Sequence, residues 1–212
     1  MSAADKDFSI LKYIPAFAER HSEYSLGNEE RVPIETVCKL IEDVLLTTPS
    51  GFNSMPVRIV LLTGKKHLEH WDIIEGILIR KIGEERYKKS NAYDRIENMA
   101  RKAIGTVLFF DDTEITKQYM EQSRQYRDMF SDWAQQAQGS HQFMIWMGLR
   151  ALGYGANLQH YIGMEDNLVK EHVGAPESWR FIAHMMFGSI KEKAGDKEKL
   201  PIDQLLKTFI DE

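Results

Sequence analysis

Two short apolar runs constrain the fold of this chain more than any other feature. Val57 to Thr63 reads VRIVLLT and Thr106 to Phe110 reads TVLFF, so each run is largely apolar on both faces of an extended strand. Strands of this kind lie inside a sheet that is covered on both sides, whereas a half-solvated strand alternates apolar and polar residues. The two runs therefore predict a central sheet with helices on both faces.

Helical patterns surround these strands. The apolar residues of Ile34 to Leu46 form one stripe that includes Cys38, and Gln142 to Leu152 is almost entirely apolar, as a central core helix would be. Further predicted elements are a charged helix at Glu114 to Phe130, a mobile region or lid at 83–98, a third strand at Trp179 to Gly188 and a closing helix from Ile202. We expect one α+β domain over residues 1–212.

Composition narrows the class of protein. The 27 Lys and Arg residues against 32 Asp and Glu give a net charge of −5, which argues against a general nucleic-acid binder. No run approaches the ~18 apolar residues that span a bilayer, and Met1 to Phe8 lacks the apolar region of a secretory signal. The single cysteine, Cys38, fits a reducing compartment and is expected to be a buried small hydrophobe. These features predict a cytoplasmic protein that does not bind membranes.

Two familiar patterns are incomplete. Gly153 to Leu158 superficially matches GxGxxG, but a helix precedes it and Leu158 stands where the third glycine belongs. We expect Gly153 and Gly155 instead to end the core helix and to allow close backbone approach to a flat or bulky group. His67 and His70 are three residues apart on a predicted helix, without a third ligand at a metal-binding spacing, so we interpret both as solvated and expect no metal.

Three separate features together suggest a ligand. They are Arg20-His21-Ser22 after the first helix, the segment Pro49-Ser-Gly-Phe-Asn-Ser54, and a lysine-rich tail that includes Lys197 and Lys199. Each alone has an ordinary explanation, as a cation at a helix end, a turn and a solvated charge run. Combined, the guanidinium, hydroxyl and ammonium groups suit a phosphate, and the short polar side chains of 50–54 suit a ring edge with carbonyls and nitrogens. A phosphorylated, flat heteroaromatic ligand such as FMN is predicted.

Longer motifs carry a family resemblance. They are Arg20-His21-Ser22, Pro49 to Ser54 (PSGFNS), Gly105 to Asp111 (GTVLFFD), Trp133 to Gly139 (WAQQAQG) and Gly153 to Tyr161 (GYGANLQHY). With these motifs, about Phe8 to Pro201 resembles the FMN-dependent nitroreductase superfamily, and more closely its fatty-acid-repression-mutant-like and copper-induced nitroreductases. The resemblance implies an α+β sandwich with a mixed central sheet flanked by helices. It also implies an intertwined homodimer with FMN at the interface.

The resemblance also implies roles for individual positions. Arg20, Ser22 and the tail lysines would hold the phosphate and ribityl end, the 50–54 segment would reach the flavin of the partner subunit, and the backbone around Gln159 would face flavin N5. Tyr24 stands where many superfamily members carry a lysine near the flavin pyrimidine edge, and Arg95 is a candidate for the missing cation. The implied cofactor-binding positions are Arg20, His21, Ser22, Tyr24, Pro49, Ser50, Phe52, Asn53, Ser54, Asn157, Leu158, Gln159, His160, Lys197 and Lys199.

The implied activity is ping-pong transfer of a hydride from NAD(P)H through flavin N5 to a flat nitroaromatic or quinone, in a stress response. Because the cofactor carries the chemistry, no indispensable catalytic side chain is expected. Two other interpretations stay open from the residues. One is a flavin-binding regulatory or sequestering protein with little turnover, and the other is a scaffold without a cofactor.

Overall fold

A five-stranded sheet forms the centre of the protein in the computed structural model, which describes Ile10 and residues 14–161 and 166–210. The start at Met1 to Phe8 lies outside the described residues. The strands are β1 (Ser25–Gly27), β2 (Val57–Thr63), β3 (Gly105–Asp112), β4 (Gly155–Gln159) and β5 (Trp179–Glu192). The two apolar runs and the third strand of the sequence analysis are therefore confirmed, and β1 and β4 were not predicted.

The strands pair antiparallel around β5. β5 pairs with β1, β3 and β4, and β2 pairs with the other edge of β3. The sequence analysis expected a mixed sheet, with both parallel and antiparallel pairing. Among the described residues, parallel pairing is found at an isolated bridge between Ser22 and Ala156.

Helices surround the sheet in chain order. They are α1 (Pro15–Glu19), α2 (Ile34–Thr47), α3 (Gly64–Ile82), α4 (Glu84–Lys88), α5 (Asn91–Asp94), α6 (Thr113–Gln122), α7 (Phe130–Ala151) and α8 (Asp166–Val173). Short segments of other helix types are the 3-10 segments Gly51–Asn53, Arg124–Met129 and Ile202–Gln204 and the π-helix Arg95–Ala100. Among the described helices, none combines the length and the apolar character needed to cross a membrane.

Both faces of the sheet are buried, as the apolar runs predict. Leu108 and Phe110 of β3 pack on one face with Trp71 of α3, whereas Val107 and Phe109 pack on the other with residues of α2 and α7. Every residue of β3 is buried. The α+β sandwich with helices on both faces of the sheet, as expected from the sequence, is therefore confirmed.

Three predicted helical segments differ in the structure. The charged helix ends at Gln122 instead of Phe130, and the core helix begins at Phe130, twelve residues before its predicted start at Gln142. The closing helix is a single 3-10 turn, Ile202–Gln204, because Leu205 and Phe209 beyond it remain exposed and bury no helical face. A short helix without a packed face is marginal in water.

The segment 83–98, for which the sequence predicts a mobile region or lid, forms short helices with the buried side chains of Tyr87 and Ile96. The local prediction for Cys38 was wrong. Cys38 is exposed, because the buried stripe of α2 runs through Val37, Ile41 and Val44, and Cys38 lies beside that stripe.

Candidate functional site

Residues from both ends of the described chain line one cavity. Arg20, His21 and Ser22 follow α1, and they meet Lys197 and Lys199 of the tail around a cavity of about 270 Å³. We call these five residues the cationic clasp. The structure thus brings together two of the three features that the sequence analysis singled out.

The chemistry of the cationic clasp suits the phosphate end of FMN. Arg20, Lys197 and Lys199 give the cavity lining three positive charges, Asp196 gives it one negative charge, and Ser22 adds a hydroxyl. Guanidinium and ammonium groups form strong charge-assisted hydrogen bonds to phosphate. The volume is below the ~300–1,000 Å³ of pockets that enclose a drug-sized ligand. The residues therefore fit the phosphate tail, with the ring lying outside the cavity.

Neighbouring contacts orient the cationic clasp. The guanidinium of Arg20 lies 4.6 Å from the centre of the Trp146 ring on α7, and Lys197 lies 5.8 Å from the ring of Tyr24. The backbone N–H of Ala194 donates to Oε2 of Glu23 at 2.7 Å. Glu23 therefore ties the tail to the segment after α1, which keeps the two halves of the clasp together.

An open strand edge adjoins the cationic clasp. The N–H of Glu23 donates to the carbonyl of Ala156 at 3.0 Å, next to the Ser22–Ala156 bridge, so the polar backbone groups of Ala156 point away from β5. Successive residues of a strand direct their N–H and C=O groups to opposite sides. The backbone groups of Leu158 therefore also point away from β5, and those of His160 do so if the alternation continues past the end of β4. No strand covers this edge beyond Ala156 in the described part of the chain. The next outward backbone donor, at Leu158, therefore lies about 7 Å along the strand from Ala156, the residue that bridges to Ser22 of the clasp.

A chain of side-chain hydrogen bonds supports this edge. Nη1 of Arg95 donates to Oε1 of Gln159 at 3.2 Å, and Nε2 of Gln159 donates to Oδ1 of Asn157 at 2.5 Å. Asn157 is buried and donates through Nδ2 to the carbonyl of Glu23 at 3.1 Å. Arg95 begins the π-helix, a type of turn that is frequent at functional sites. The structure thus places a cation beside the segment that the resemblance assigns to the flavin.

The 49–54 segment has a strained backbone. Phe52, Asn53 and Met55 have positive φ angles of 55°, 53° and 50°, a region that non-glycine residues rarely adopt. Oγ of Ser50 accepts the N–H of Met55 at 2.9 Å, which closes the turn. Such strain persists where surrounding contacts hold it and is concentrated at binding sites. Pro49, Phe52 and Asn53 are exposed and Ser54 is half-buried, so this turn is available to a ligand.

Aromatic packing holds the turn in place. The half-exposed ring of Phe52 stacks on Trp133 of α7, with centres 5.6 Å apart and planes at 27°, and also contacts Tyr126 and Phe130. Trp133 lies 13 residues before Trp146, which contacts Arg20, and at 1.5 Å per residue they are about 20 Å apart along α7. The structure therefore does not bring the 49–54 turn to the cationic clasp of the same chain.

Replacing Gly51 by alanine is expected to lower the free energy of unfolding by about 1 kcal/mol, at the lower end of overpacking effects. A Cβ at this position would lie 3.0–3.1 Å from side-chain atoms of Trp133, so the ring has to shift. Urea unfolding of the variant measures the loss. Gly139→Ala on α7 is the control, since a Cβ there meets nothing within 4 Å. Equal stability of G51A and wild type would contradict the packing of this turn on Trp133.

The sequence analysis assigned no role to a row of glutamines. Gln135, Gln138 and Gln142 of α7 line a cavity of about 360 Å³ together with His160 and Arg180. Their spacing of three and four residues, which puts side chains on one helix face, was the available signal. This polar cavity reaches the end of β4 and adds space for a second molecule beside the open edge.

The expectation of a close approach at Gly155 is confirmed, and the expectation for the two histidines is wrong. A Cβ at Gly155 would lie 2.6 Å from Ile190 and 2.9 Å from Glu23, so the bulky groups at this glycine are side chains of the protein itself. His67 and His70 are buried because α3 turns this face toward the sheet. Within the described ranges, no three histidine, cysteine or acidic residues are grouped as metal ligands would be.

Comparison with known proteins identifies the family. The nitroreductase family model matches residues 17–189. HBN1 of Saccharomyces cerevisiae is 28% identical over 197 residues, which cover 92% of this chain and 96% of HBN1. The nitroreductase FRM2 of the same yeast is 28% identical over 178 residues, 83% of this chain and 86% of FRM2, which confirms the fatty-acid-repression-mutant-like resemblance.

Solved structures of one bacterial nitroreductase share the fold. Nitroreductase CinD from Lactococcus lactis, in complex with nicotinic acid, superimposes with a TM-score of 0.83 at 31% identity, over 92% of this chain and 98% of CinD. Its complex with 4-nitrophenol gives a TM-score of 0.81 at the same identity and coverage. The chain therefore belongs to the nitroreductase family and is an oxidoreductase of the nitroreductase type.

Proposed function

We propose that the protein is an FMN-dependent NAD(P)H oxidoreductase that reduces flat nitroaromatics or quinones by ping-pong hydride transfer. The observation that carries this proposal is the Ser22–Ala156 bridge, which joins the cationic clasp to the open edge of β4. A phosphate in the clasp and a ring along Leu158 to His160 would follow this path in one molecule. Family membership supports FMN as that molecule.

Bound FMN would supply hydride acceptance and donation at N5, and the residues of this chain position and tune it. Arg20, Ser22, Lys197 and Lys199 would hold the phosphate. Outward backbone N–H groups at Leu158 and His160 would donate to the ring edge near N5, as preorganised dipoles do at reacting atoms. The positive charge of Arg95, held by Gln159, would stabilise negative charge that develops on the ring.

A second copy of the chain completes the proposed site. The 49–54 turn lies about 20 Å along α7 from the cationic clasp, so Ser50, Phe52, Asn53 and Ser54 would reach the flavin of the partner subunit. Apolar side chains that remain exposed in the described chain also support a homodimer: Phe17, Leu46, Phe143, Met144, Leu205, Leu206, Phe209 and Ile210.

The acceptor is proposed to occupy the glutamine-lined cavity next to His160. CinD is solved with 4-nitrophenol and with nicotinic acid, the second a relative of the nicotinamide ring. Half-exposed Phe52 and Trp133 of the partner would offer a stacking surface for such flat rings. A role in stress response in the cytoplasm is part of the same proposal and is supported by the resemblance to the subfamily.

The test begins with purified protein stripped of ligand and titrated with FMN. We expect a stoichiometric flavoprotein that sediments as a dimer and oxidises NADH or NADPH when 4-nitrophenol or a quinone is added. Failure to take up FMN would overturn the proposal. Flavin uptake with turnover below about one per minute, far under the usual 1–10³ s⁻¹, would favour the flavin-binding regulatory protein instead.

A further inference from the structure

Two buried histidines are in direct contact behind β4. Nε2 of His70, on α3, lies 2.8 Å from Nδ1 of His184, on β5, and both side chains are fully buried. The proposed function above uses neither residue. A pair of this kind in a core is unusual, because histidine is more often partly exposed.

The pair lies between the protein surface and the proposed flavin segment. His184 is the direct cross-strand partner of Gln159, and its ring centre lies 5.7 Å from that of Tyr161. On the other side, the ring of half-buried His172 on α8 lies 6.1 Å from that of His70. His172, His70, His184 and Tyr161 thus form a continuous row of titratable rings, and exposed His160 adjoins its inner end.

Both histidines of the pair are neutral near pH 7. Burial lowers the pKa of His70 to about 3 and holds that of His184 well below its ordinary value. Each ring therefore carries one N–H, and one of the two lies in the shared 2.8 Å bond. The outer atoms, Nδ1 of His70 and Nε2 of His184, have no hydrogen-bond partner within the described residues.

This arrangement allows two tautomers for the pair. Either Nε2–H of His70 donates and Nε2 of His184 carries the outer proton, or Nδ1–H of His184 donates and Nδ1 of His70 carries it. Nothing in the described structure favours one, since both outer atoms are unpartnered. A histidine whose second nitrogen is committed to a fixed partner has only one tautomer.

His67, one turn earlier on α3, provides the internal contrast. Its Nε2 lies 2.9 Å from the carbonyl of Ala100, which only accepts, so the proton is on Nε2. Its Nδ1 then accepts from Oγ1 of Thr106 at 2.9 Å, while Thr106 accepts from Nε1 of Trp71 at 3.0 Å. His67 is therefore locked in one tautomer, although it is also buried.

We propose that His70 and His184 form a proton relay between the surface at His172 and the flavin segment at Tyr161 and His160. In one passage, a proton from water enters at Nδ1 of His70, the Nε2 proton of His70 crosses to Nδ1 of His184, and the Nε2 proton of His184 leaves toward Tyr161 and His160. No electron moves, and one proton is gained and one lost. The pair then holds the other tautomer. It resets by the reverse passage, in which a proton from water at exposed His160 returns to Nε2 of His184 and Nδ1 of His70 releases one, before the next acceptor covers the flavin segment.

The relay rests on the proposed function, which consumes protons. A quinone that accepts a hydride becomes an anion that needs one proton, and reduction of a nitro group to nitroso needs two protons with two electrons. The flavin segment is covered by β5 on one side, and a buried relay would supply protons there without admitting water.

The groups around the pair oppose a stable imidazolium. Positive charge on His172 and His67 lowers the pKa of His70, that on His160 lowers the pKa of His184, and Arg95 lies beyond Tyr161. The other contacts are the rings of Trp71 and Phe181. No carboxylate is among the groups that shift either histidine, so the protons move together and no cation accumulates.

The first test is nitrogen-15 NMR of histidine-labelled protein, with and without FMN. We expect averaged nitrogen shifts for His70 and His184, which indicate exchange between two tautomers, and the fixed Nε2–H tautomer for His67. A single fixed tautomer for both residues of the pair would overturn the relay. Because this measurement needs no flavin, its outcome is independent of whether the protein binds FMN.

The second test uses His70→Gln, with His67→Gln as the matched control. Glutamine keeps a donor and an acceptor but does not shuttle a proton. In the holoenzyme, we expect H70Q to slow oxidation of the reduced flavin by a quinone about tenfold or more, within the range of proton-transfer catalysis, and to leave reduction by NAD(P)H within about twofold. Equal rates of flavin oxidation in H70Q and H67Q would overturn the relay. If H70Q does not fold, the tautomers measured by NMR in the wild-type protein decide instead.

Discussion

Replacing Arg20 by alanine is expected to weaken FMN binding about 10- to 150-fold, which corresponds to about 1.5–3 kcal/mol for hydrogen bonds to a charged group. The guanidinium is half-buried, is held 4.6 Å from the centre of the Trp146 ring and lines the cationic clasp. Its position is therefore fixed before any ligand binds, so little conformational entropy is lost on binding. Titration of stripped protein with FMN, followed by flavin fluorescence, measures the change.

Two variants make this result specific to the clasp. Arg86→Ala removes the same charge from an exposed position on α4, outside the clasp, and is expected to bind FMN like wild type. The double variant Lys197→Ala and Lys199→Ala removes the charges of the tail and is expected to lose FMN on dialysis. Unchanged affinity in R20A would refute the phosphate assignment, and full retention in the double variant would show that the tail is only solvated charge.

The parts of the fold that were predictable from sequence are those with a strong local pattern. β2 and β3 were predicted because two-sided apolar runs are specific for covered strands. β4 has no such pattern: Gly155 and Asn157 have low β-propensity, and the strand depends on pairing with β5. Long-range pairing of this kind is not visible in a local window, so the strand that carries the open edge was missed.

Boundaries of helices were less predictable, for related reasons. Gly139 within WAQQAQG interrupts the helical pattern, yet α7 continues through it because the flanking turns pack on the sheet. In α2, periodicity placed Cys38 on the buried stripe. Cys38 lies at the edge of that stripe, where periodicity does not distinguish a buried residue from an exposed one, and in the structure it is exposed. Local periodicity identifies the face of a helix better than its borders.

The candidate site was predictable in its parts and not in its geometry. The meeting of Arg20 with Lys197 and Lys199 was inferred from charge chemistry, and the structure places them around one cavity. The separation of the 49–54 turn from that cavity follows from the length of α7. His67 and His70 are buried because their face of α3 meets the sheet. The sequence around a polar residue does not show whether its side of the helix faces the core or solvent, so their burial was not predictable.

The buried histidines make the protein sensitive to mild acid. Burial lowers the pKa of His67 to about 4 and that of His70 to about 3, whereas an unfolded histidine has a pKa near 6.5. Below about pH 6.5 the unfolded chain therefore binds more protons than the folded chain, and the free energy of unfolding falls as the pH falls toward 4. Between pH 7 and pH 5 each residue removes about 2 kcal/mol, and the two together about 4 kcal/mol.

That loss is large against a typical net stability of about 5–15 kcal/mol. His184, whose pKa is also lowered by burial, adds to it in the same direction. Asp111 opposes it, because burial raises the pKa of this carboxyl and the folded state then binds its proton more tightly. Exposed acids with a lowered pKa, such as Glu29, titrate below this window and do not contribute to it. Urea unfolding at pH 7, 6 and 5 measures the decline.

His67→Gln assigns the decline to its source. A glutamine amide can donate to the carbonyl of Ala100 and accept from Thr106, as His67 does, but it does not titrate. We expect H67Q to reduce the loss between pH 7 and pH 5 by about 2 kcal/mol while the stability at pH 7 changes much less. If wild type and H67Q lost the same stability over this range, proton uptake by buried His67 would not be the cause, and the decline would have to come from other groups.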